Sequence, residues 1–524
     1  MGLLALNRLM SMQWEQMRNR NYSQPQNGSR MASSLTKRNS SPCRQKDDNS
    51  HGGTKVRYAG PYLPEEIWHH IYSLVPMRDA ARAACVSHAF LRSWRCHLIL
   101  AFTKETMCSK DKLRHWTGGV DDKRDRREYN NNIERILANH RGAGVKALEL
   151  DFYGPYNTKS YNRLNSWLQI AMTQVTKELT LSVLSDKSKY DFSCSLLSHR
   201  SGNTIRYLSL DHCALRPTVN LGLRCLTELE LYEVRITGDE LGRLLSSSFA
   251  LEKMKLTYCY DIIRLEIPCL LQRLSYLEVF ECSSLQVIEN KAPNISSFDF
   301  AGGEVQLPLA ESLQVKKLKL YHRCVIRYAI DKLPSSVPYL ETLTLCSRCE
   351  IVNVPMVTNK FLHLKELNIS ICGWSSNQEY DFLSLASFLD ASPTLEIFVL
   401  SVSVASKYDL FVADPSNLRQ IPEHRNDKLK IVKITGFRPQ KSLVELTRHI
   451  LESATSLKFL MLDTITVSYR CSGDISGRKC SMLNRAYISE AYKSIVAVKL
   501  YIEEKVPSTV QLDVLEPCKR CHAM

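Results

Sequence analysis

Cys346-x-x-Cys349 and Cys518-x-x-Cys521-His522 are the groups in this chain whose types and spacing come nearest to metal chemistry. Paired thiolates can share a Zn2+ ion, but a structural site needs four converging ligands, and these two pairs are far apart in sequence. The second motif also spells the haem-attachment pentapeptide, whose chemistry belongs to exported cytochromes. Adjacent His69 and His70 have no acidic or thiol partner at a meaningful spacing, so a surface or interface role is expected of them. A Gly-rich phosphate loop, a Gly-x-Ser-x-Gly elbow and a His-Glu-x-x-His pair are all missing from the sequence. The expectation is therefore no catalytic residue, no metal and no cofactor. What chemistry the chain performs should be recognition.

Four of the other cysteines have a packing explanation. Cys213, Cys259, Cys282 and Cys372 each stand three places after the last apolar residue of a recurring Leu-x-x-Leu-x-Leu pattern. The two inner apolar positions of that pattern are Leu148/Leu150, Leu179/Leu181, Leu208/Leu210, Leu229/Leu231, Met254/Leu256, Leu277/Val279, Phe298/Phe300, Leu318/Leu320, Leu343/Leu345, Leu367/Ile369, Phe398/Leu400, Val432/Ile434 and Leu460/Leu462. From Leu208 to Leu367 they recur every 20 to 25 residues, the leucine-rich-repeat period of one short strand and one return segment. A single unit cannot bury its apolar face alone, so units must stack into a curved parallel sheet around one continuous core. The repeat consensus takes Asn or Cys where these cysteines fall, with the side chain turned inward.

Such an array is a surface. The residues between paired apolar positions should line its concave face: Glu149, Thr180, Ser209, Glu230, Lys255, Glu278, Asp299, Lys319, Thr344, Asn368 and Lys433. Glu230, Lys255, Glu278 and Lys319 are the charged positions singled out as candidate target contacts. Their signs are mixed, so the face offers no track for a polyanion.

The 524 residues carry a formal charge of +15, and residues 1–60 alone contribute +7. The excess is thus partly local, and nucleic acid is an unlikely partner on this evidence. Residues 1–60 are rich in Ser, Asn, Gln, Arg and Gly and cannot repay the entropy of ordering, so a disordered basic arm is expected there. The apolar opening stops at Asn7 and Arg8, Leu6 stands where a myristoylation signal needs Ser or Thr, and no apolar run approaches a membrane span. A cytoplasmic or nuclear protein with reduced thiols and no membrane partner is expected.

Residues 61–100 change character. Leu63-Pro64-Glu65-Glu66-Ile67 should open a helix, with Pro64 in its first turn, the glutamates at its positive end, and Ile67, Ile71 and Leu74 on one face. Pro76 should stop it and Asp79 cap a second helix through Val86, with a third segment from Phe90 to Trp94. Three short helices bury little among themselves, so a partner should cover them. Residues 101–132 read as a charged linker, its mixed signs fitting either a solvated connector or an exposed helix, 133–470 as the repeat domain, and 471–524 as a capping segment. In that last segment, Tyr487, Ala491, Ile495, Val498 and Ile502 form an apolar helical stripe before an alternating strand at 510–514. The fold class is α/β: a small all-α module followed by a solenoid with a helical or irregular outer side.

The block from Leu63 through Ile71 and Leu74, with Arg78-Asp79-Ala80, Cys85-Val86-Ser87 and Phe90-Leu91-Arg92-x-Trp94, resembles an F-box. Followed by these repeats it is similar to the plant F-box/LRR proteins, and Leu429 through Phe437 resembles the FBD-type tail common among them. The resemblance covers roughly residues 61–522. It implies a non-catalytic substrate receptor of a Skp-cullin-F-box (SCF) ubiquitin ligase. The Skp-type adaptor, and through it cullin, would be held by Leu63, Pro64, Ile67, Ile71, Leu74, Val86 and Phe90. Phe90 departs from the Trp of many F-boxes but keeps an aromatic ring. The protein substrate is unknown and does not carry over. The alternative is a repeat scaffold or receptor with no ligase link.

Overall fold

The computed structural model describes residues 67, 70–71, 74–86, 88–108, 123–140, 144–154, 157–172, 175–184, 190–197, 202–217, 221–303, 314–348, 350, 360–373, 380–404, 418–419, 425–466, 483 and 485–518. Leu63, Pro64, His69, Cys349, Cys521, His522 and the N-terminal arm lie outside the described residues.

Fifteen strands form one sheet in strict chain order, every pair parallel. They are β1 (Ile99–Phe102), β2 (Ala147–Phe152), β3 (Glu178–Val183), β4 (Tyr207–Asp211), β5 (Glu228–Tyr232), β6 (Lys253–Thr257), β7 (Tyr276–Phe280) and β8 (Ser297–Ala301). There follow β9 (Lys317–Tyr321), β10 (Thr342–Ser347), β11 (Glu366–Gly373), β12 (Ile397–Val404), β13 (Ile431–Thr435), β14 (Phe459–Asp463) and β15 (Gln511–Leu515). Parallel neighbours need a return path, supplied by short strands, 3-10 turns or helices on one side of the sheet. All thirteen apolar pairs named above are buried and belong to one core cluster. Full burial of each such side chain contributes about 1.5–3 kcal/mol relative to exposure.

The repeat cysteines follow from backbone geometry. After β4, β5, β6 and β7 the chain passes through His212, Glu233, Tyr258 and Glu281 at φ of 53°, 48°, 54° and 50°, the left-handed region. That turn drives the next side chain, Cys213, Val234, Cys259 or Cys282, into the core. The thiols of Cys259 and Cys282 donate to the carbonyls of Leu231 and Leu256 in the preceding repeats, at 3.6 and 3.8 Å. Cys372 differs: β11 runs on to Gly373, so this thiol stays half-buried.

The sheet extends past both expected ends of the repeat domain. Residues 101–132 are not simply a connector, because β1 pairs with β2 from Ile99 to Phe102 and a helix spans Lys123–Asn139. Tyr129, Ile133 and Leu137, four apart, bury one face of that helix, and the Tyr129 hydroxyl donates to the carbonyls of Phe102 and Asp151. At the other end β15 pairs with β14, and a helix over Arg485–Tyr501 buries Ala491, Ile495 and Val498. Tyr487 does not join that stripe: it stays exposed, and the Arg438 guanidinium lies 5.6 Å from its ring centre.

In the front module, α1 (Met77–Ala84) and α2 (His88–Trp94) are helical. Pro76, not Asp79, occupies the N-cap of α1; Asp79 sits in the first turn, 3.3 Å from Arg82. Buried His97 fastens this module to the sheet. Its Nδ1 lies 2.7 Å from the Ile99 carbonyl and its Nε2 3.2 Å from the Val75 carbonyl, so one ring ties the start of β1 to the chain entering α1. Among the described residues, no helix is long and apolar enough to cross a membrane.

One glycine is required. Gly436 follows β13 at φ +69°, where an added Cβ would lie 2.0 Å from the Val402 carbonyl oxygen. Gly436→Ala is expected to lower stability by about 2–4 kcal/mol through backbone strain and overpacking. Chemical denaturation checks this; an unchanged midpoint would show that β12 and β13 do not approach so closely.

Candidate functional site

Two surfaces can act. The first is the front module. Ile67, Ile71 and Leu74 are helical residues yet 44%, 37% and 51% exposed, and Val86, after α1, is 80% exposed. Met77 and Ala80 of the same module are buried, and Met77 belongs to the core shared with the sheet. Its sulfur accepts from the Ala101 amide of β1 at 3.3 Å. The module therefore turns one apolar side to the array and leaves another open. Phe90 is half-buried.

The second is the open face of the sheet. Register places Glu149, Thr180, Ser209, Glu230, Lys255, Glu278, Asp299, Lys319, Thr344 and Asn368 in a single lateral row. Val399, Lys433, Met461 and Asp513 continue it. The four candidate target contacts thus share a row, but they are tied to neighbours. Lys255 Nζ lies 2.5 Å from Glu230, which also accepts from the Tyr207 hydroxyl at 2.7 Å. Lys319 lies 2.9 Å from Asp299, and the Tyr276 hydroxyl is 2.6 Å from Glu278 and 3.1 Å from Asp299. Cross-strand pairing of this kind fixes side chains and neutralises charge locally, contributing about 0.2–1 kcal/mol per pair.

Sequence spacing missed a third feature. At the C-terminal ends of the central strands, Tyr232, Tyr258, Phe280 and Tyr321 make a ladder of rings with centroids 5.5, 5.8 and 6.5 Å apart. His212 extends it at 5.8 Å from Tyr232 and contacts the carboxylates of Asp211 and Glu233. Tyr232, Phe280 and Tyr321 hold the same place in their repeats, one residue after the second inward position, so aligning the copies reveals them.

Among the described residues no group of three or more His, Cys, Asp or Glu side chains is placed to hold a metal ion. Cys346 and Cys518 are both half-buried; Cys349, Cys521 and His522 lie outside the described residues.

Residues 136–519 match the family described as At1g61320/AtMIF1, LRR domain. Two Arabidopsis thaliana proteins bearing F-box/LRR-repeat names are also similar. At3g03360 is 22% identical over 58% of this chain, and At5g02930 is 22% identical over 43%. The chain spans 60% and 42% of their respective lengths. The family match begins after the front module.

Near the first repeats, burial raises the Asp151 carboxyl to about 6, with the Glu149 charge reinforcing it. Because this folded value lies above the ordinary carboxylate value near 4, folding favours the proton, and stability falls as pH rises from about 4 to 6. Asp151→Asn, which still accepts from Tyr153, is expected to flatten that slope and to be more stable than wild type at pH 7 by on the order of 1–2 kcal/mol. The difference should vanish near pH 4. Equal slopes in thermal melts across this range would rule out the burial account of Asp151.

Proposed function

We infer that this chain, which belongs to the At1g61320/AtMIF1 leucine-rich-repeat domain family, is a non-enzymatic receptor that joins an SCF ubiquitin ligase to a target protein. The observation that carries the reading is the exposure of the aliphatic residues Ile67, Ile71, Leu74 and Val86 in the front module, whose α1 between them is anchored to the array through Met77. Exposed aliphatic residues clustered on short helices gain most by burial against a second polypeptide. A Skp-type adaptor is the proposed partner, with cullin reached through it, and Leu63, Pro64 and Phe90 are the proposed further contacts. The F-box/LRR-repeat names of the two Arabidopsis relatives support the same assignment.

No reacting group is needed in the receptor. Holding adaptor and target together turns an encounter between a charged ubiquitin carrier and a target lysine into a near-intramolecular event of high effective concentration. The target is taken on the open sheet face, where Glu230, Lys255, Glu278 and Lys319 stand in one row. Such a receptor works in the cytosol or nucleus. A second reading, a repeat scaffold without ligase function, draws on the family match starting only at residue 136.

The full chain should retain a Skp-type adaptor in a pull-down, and Ile71→Asp should reduce retention at least tenfold while circular dichroism and the thermal midpoint stay unchanged. Undiminished retention in that variant, or none in wild type, would reject the adaptor assignment.

A further inference from the structure

We propose that the aromatic edge of the sheet, at the C-terminal ends of β5 to β9, seats an extended cationic segment of a partner protein, its lysine or arginine side chains laid over the tyrosine rings. This deepens the receptor reading by naming a class of target segment, and rests on that reading only for the segment's role as a ligase target.

Three observations converge. Tyr232 is 40% and Tyr260 48% exposed, and Tyr260 is joined to the ladder through Tyr258 at 6.2 Å. Tyr232 and Tyr260 therefore present ring surface to solvent, and half-buried Tyr258, Phe280 and Tyr321 continue the row. Next, carboxylates stand among the rings: Asp211 and Glu233, both contacted by the His212 imidazole, and Glu281, 3.4 Å from the Arg348 guanidinium. This local sign opposes the +15 of the whole chain. The nearby lysines, Lys255 and Lys319, are engaged one row away with Glu230 and Asp299. Finally, among the described residues the chain's own cations lie over other rings, Lys104 over Tyr153 and Arg438 over Tyr487.

A ring face attracts a cation through its quadrupole, and adjacent carboxylates add Coulomb attraction and accept the ammonium or guanidinium hydrogen bonds. Spacing suits an extended occupant. Alternate side chains of a strand recur about every 6.7 Å, close to the ring-to-ring steps of 5.5 to 6.5 Å.

The test uses the full chain and a fluorescent twelve-residue peptide of alternating arginine and glycine, with alternating glutamate-glycine and serine-glycine peptides as controls. Fluorescence anisotropy should show saturable binding of the arginine peptide alone, weakening with added salt. Tyr232→Ala combined with Tyr258→Ala should weaken it about tenfold, and the isosteric pair Glu233→Gln and Glu281→Gln severalfold with a shallower salt dependence. Thermal midpoints show that the variants remain folded. Equal affinity of either control peptide, or full affinity in both variant pairs, overturns the proposal. Adaptor pull-down with the same proteins separates the two readings. Peptide binding without adaptor retention rejects the ligase role and leaves this site standing; adaptor retention without peptide binding does the reverse.

Discussion

Everything in this molecule depends on the inward rows of leucine and its substitutes remaining in register across fifteen parallel strands. No strand could hold its place alone, because its buried side chains are satisfied only by those one step before and after it. From Leu148 through Leu179, Leu208 and Leu229 to Leu460, each inward residue packs between two counterparts in the same row. Fixing the inward rows also fixes the outward ones. Residues distant in sequence, such as Tyr232 and Tyr321, thereby become members of one surface.

The same register reaches forward into the helical module. β1 is the first strand of the sheet, and His97 and Met77 bind α1 to it through the Val75 carbonyl and the Ala101 amide. α1 and the Val75 carbonyl just after Leu74 are thus fixed to the first strand of the array. At the far end a comparable lock holds the outer helices: Arg419 bridges Asp381 at 2.8 Å and the buried carboxylate of Glu445 at 2.6 Å. Leaving that buried charge unpaired costs more than an exposed ion pair gains, so the Arg419 fork specifies how these segments pack.

The strands of the repeats were legible because period and inward position coincide, from Leu148 to Leu462. The buried face of the helix over Lys123–Asn139 was not, because the charged run 121–128 suggests a solvated or exposed segment and hides the four-residue spacing of Tyr129, Ile133 and Leu137 that follows it. β1 was missed for lack of a preceding leucine, and Tyr487 was counted as core because its spacing fits the helix although its ring serves Arg438 instead. Glu230, Lys255, Glu278 and Lys319 could be placed on one row from spacing alone, whereas their pairing partners Tyr207, Tyr276 and Asp299 required the register. The aromatic ladder needed both register and turn geometry, since Tyr258 joins it only because the chain turns left-handed there.

The division of labour, adaptor at the helical end and target on the open sheet, is tested most directly by hydrogen exchange on the full chain with and without a Skp-type adaptor. The expected result is slowed exchange confined to amides in the region 67–94, with the outward rows of β4 to β9 unchanged. Protection spread over those strands, or no protection in the helical region, would contradict it.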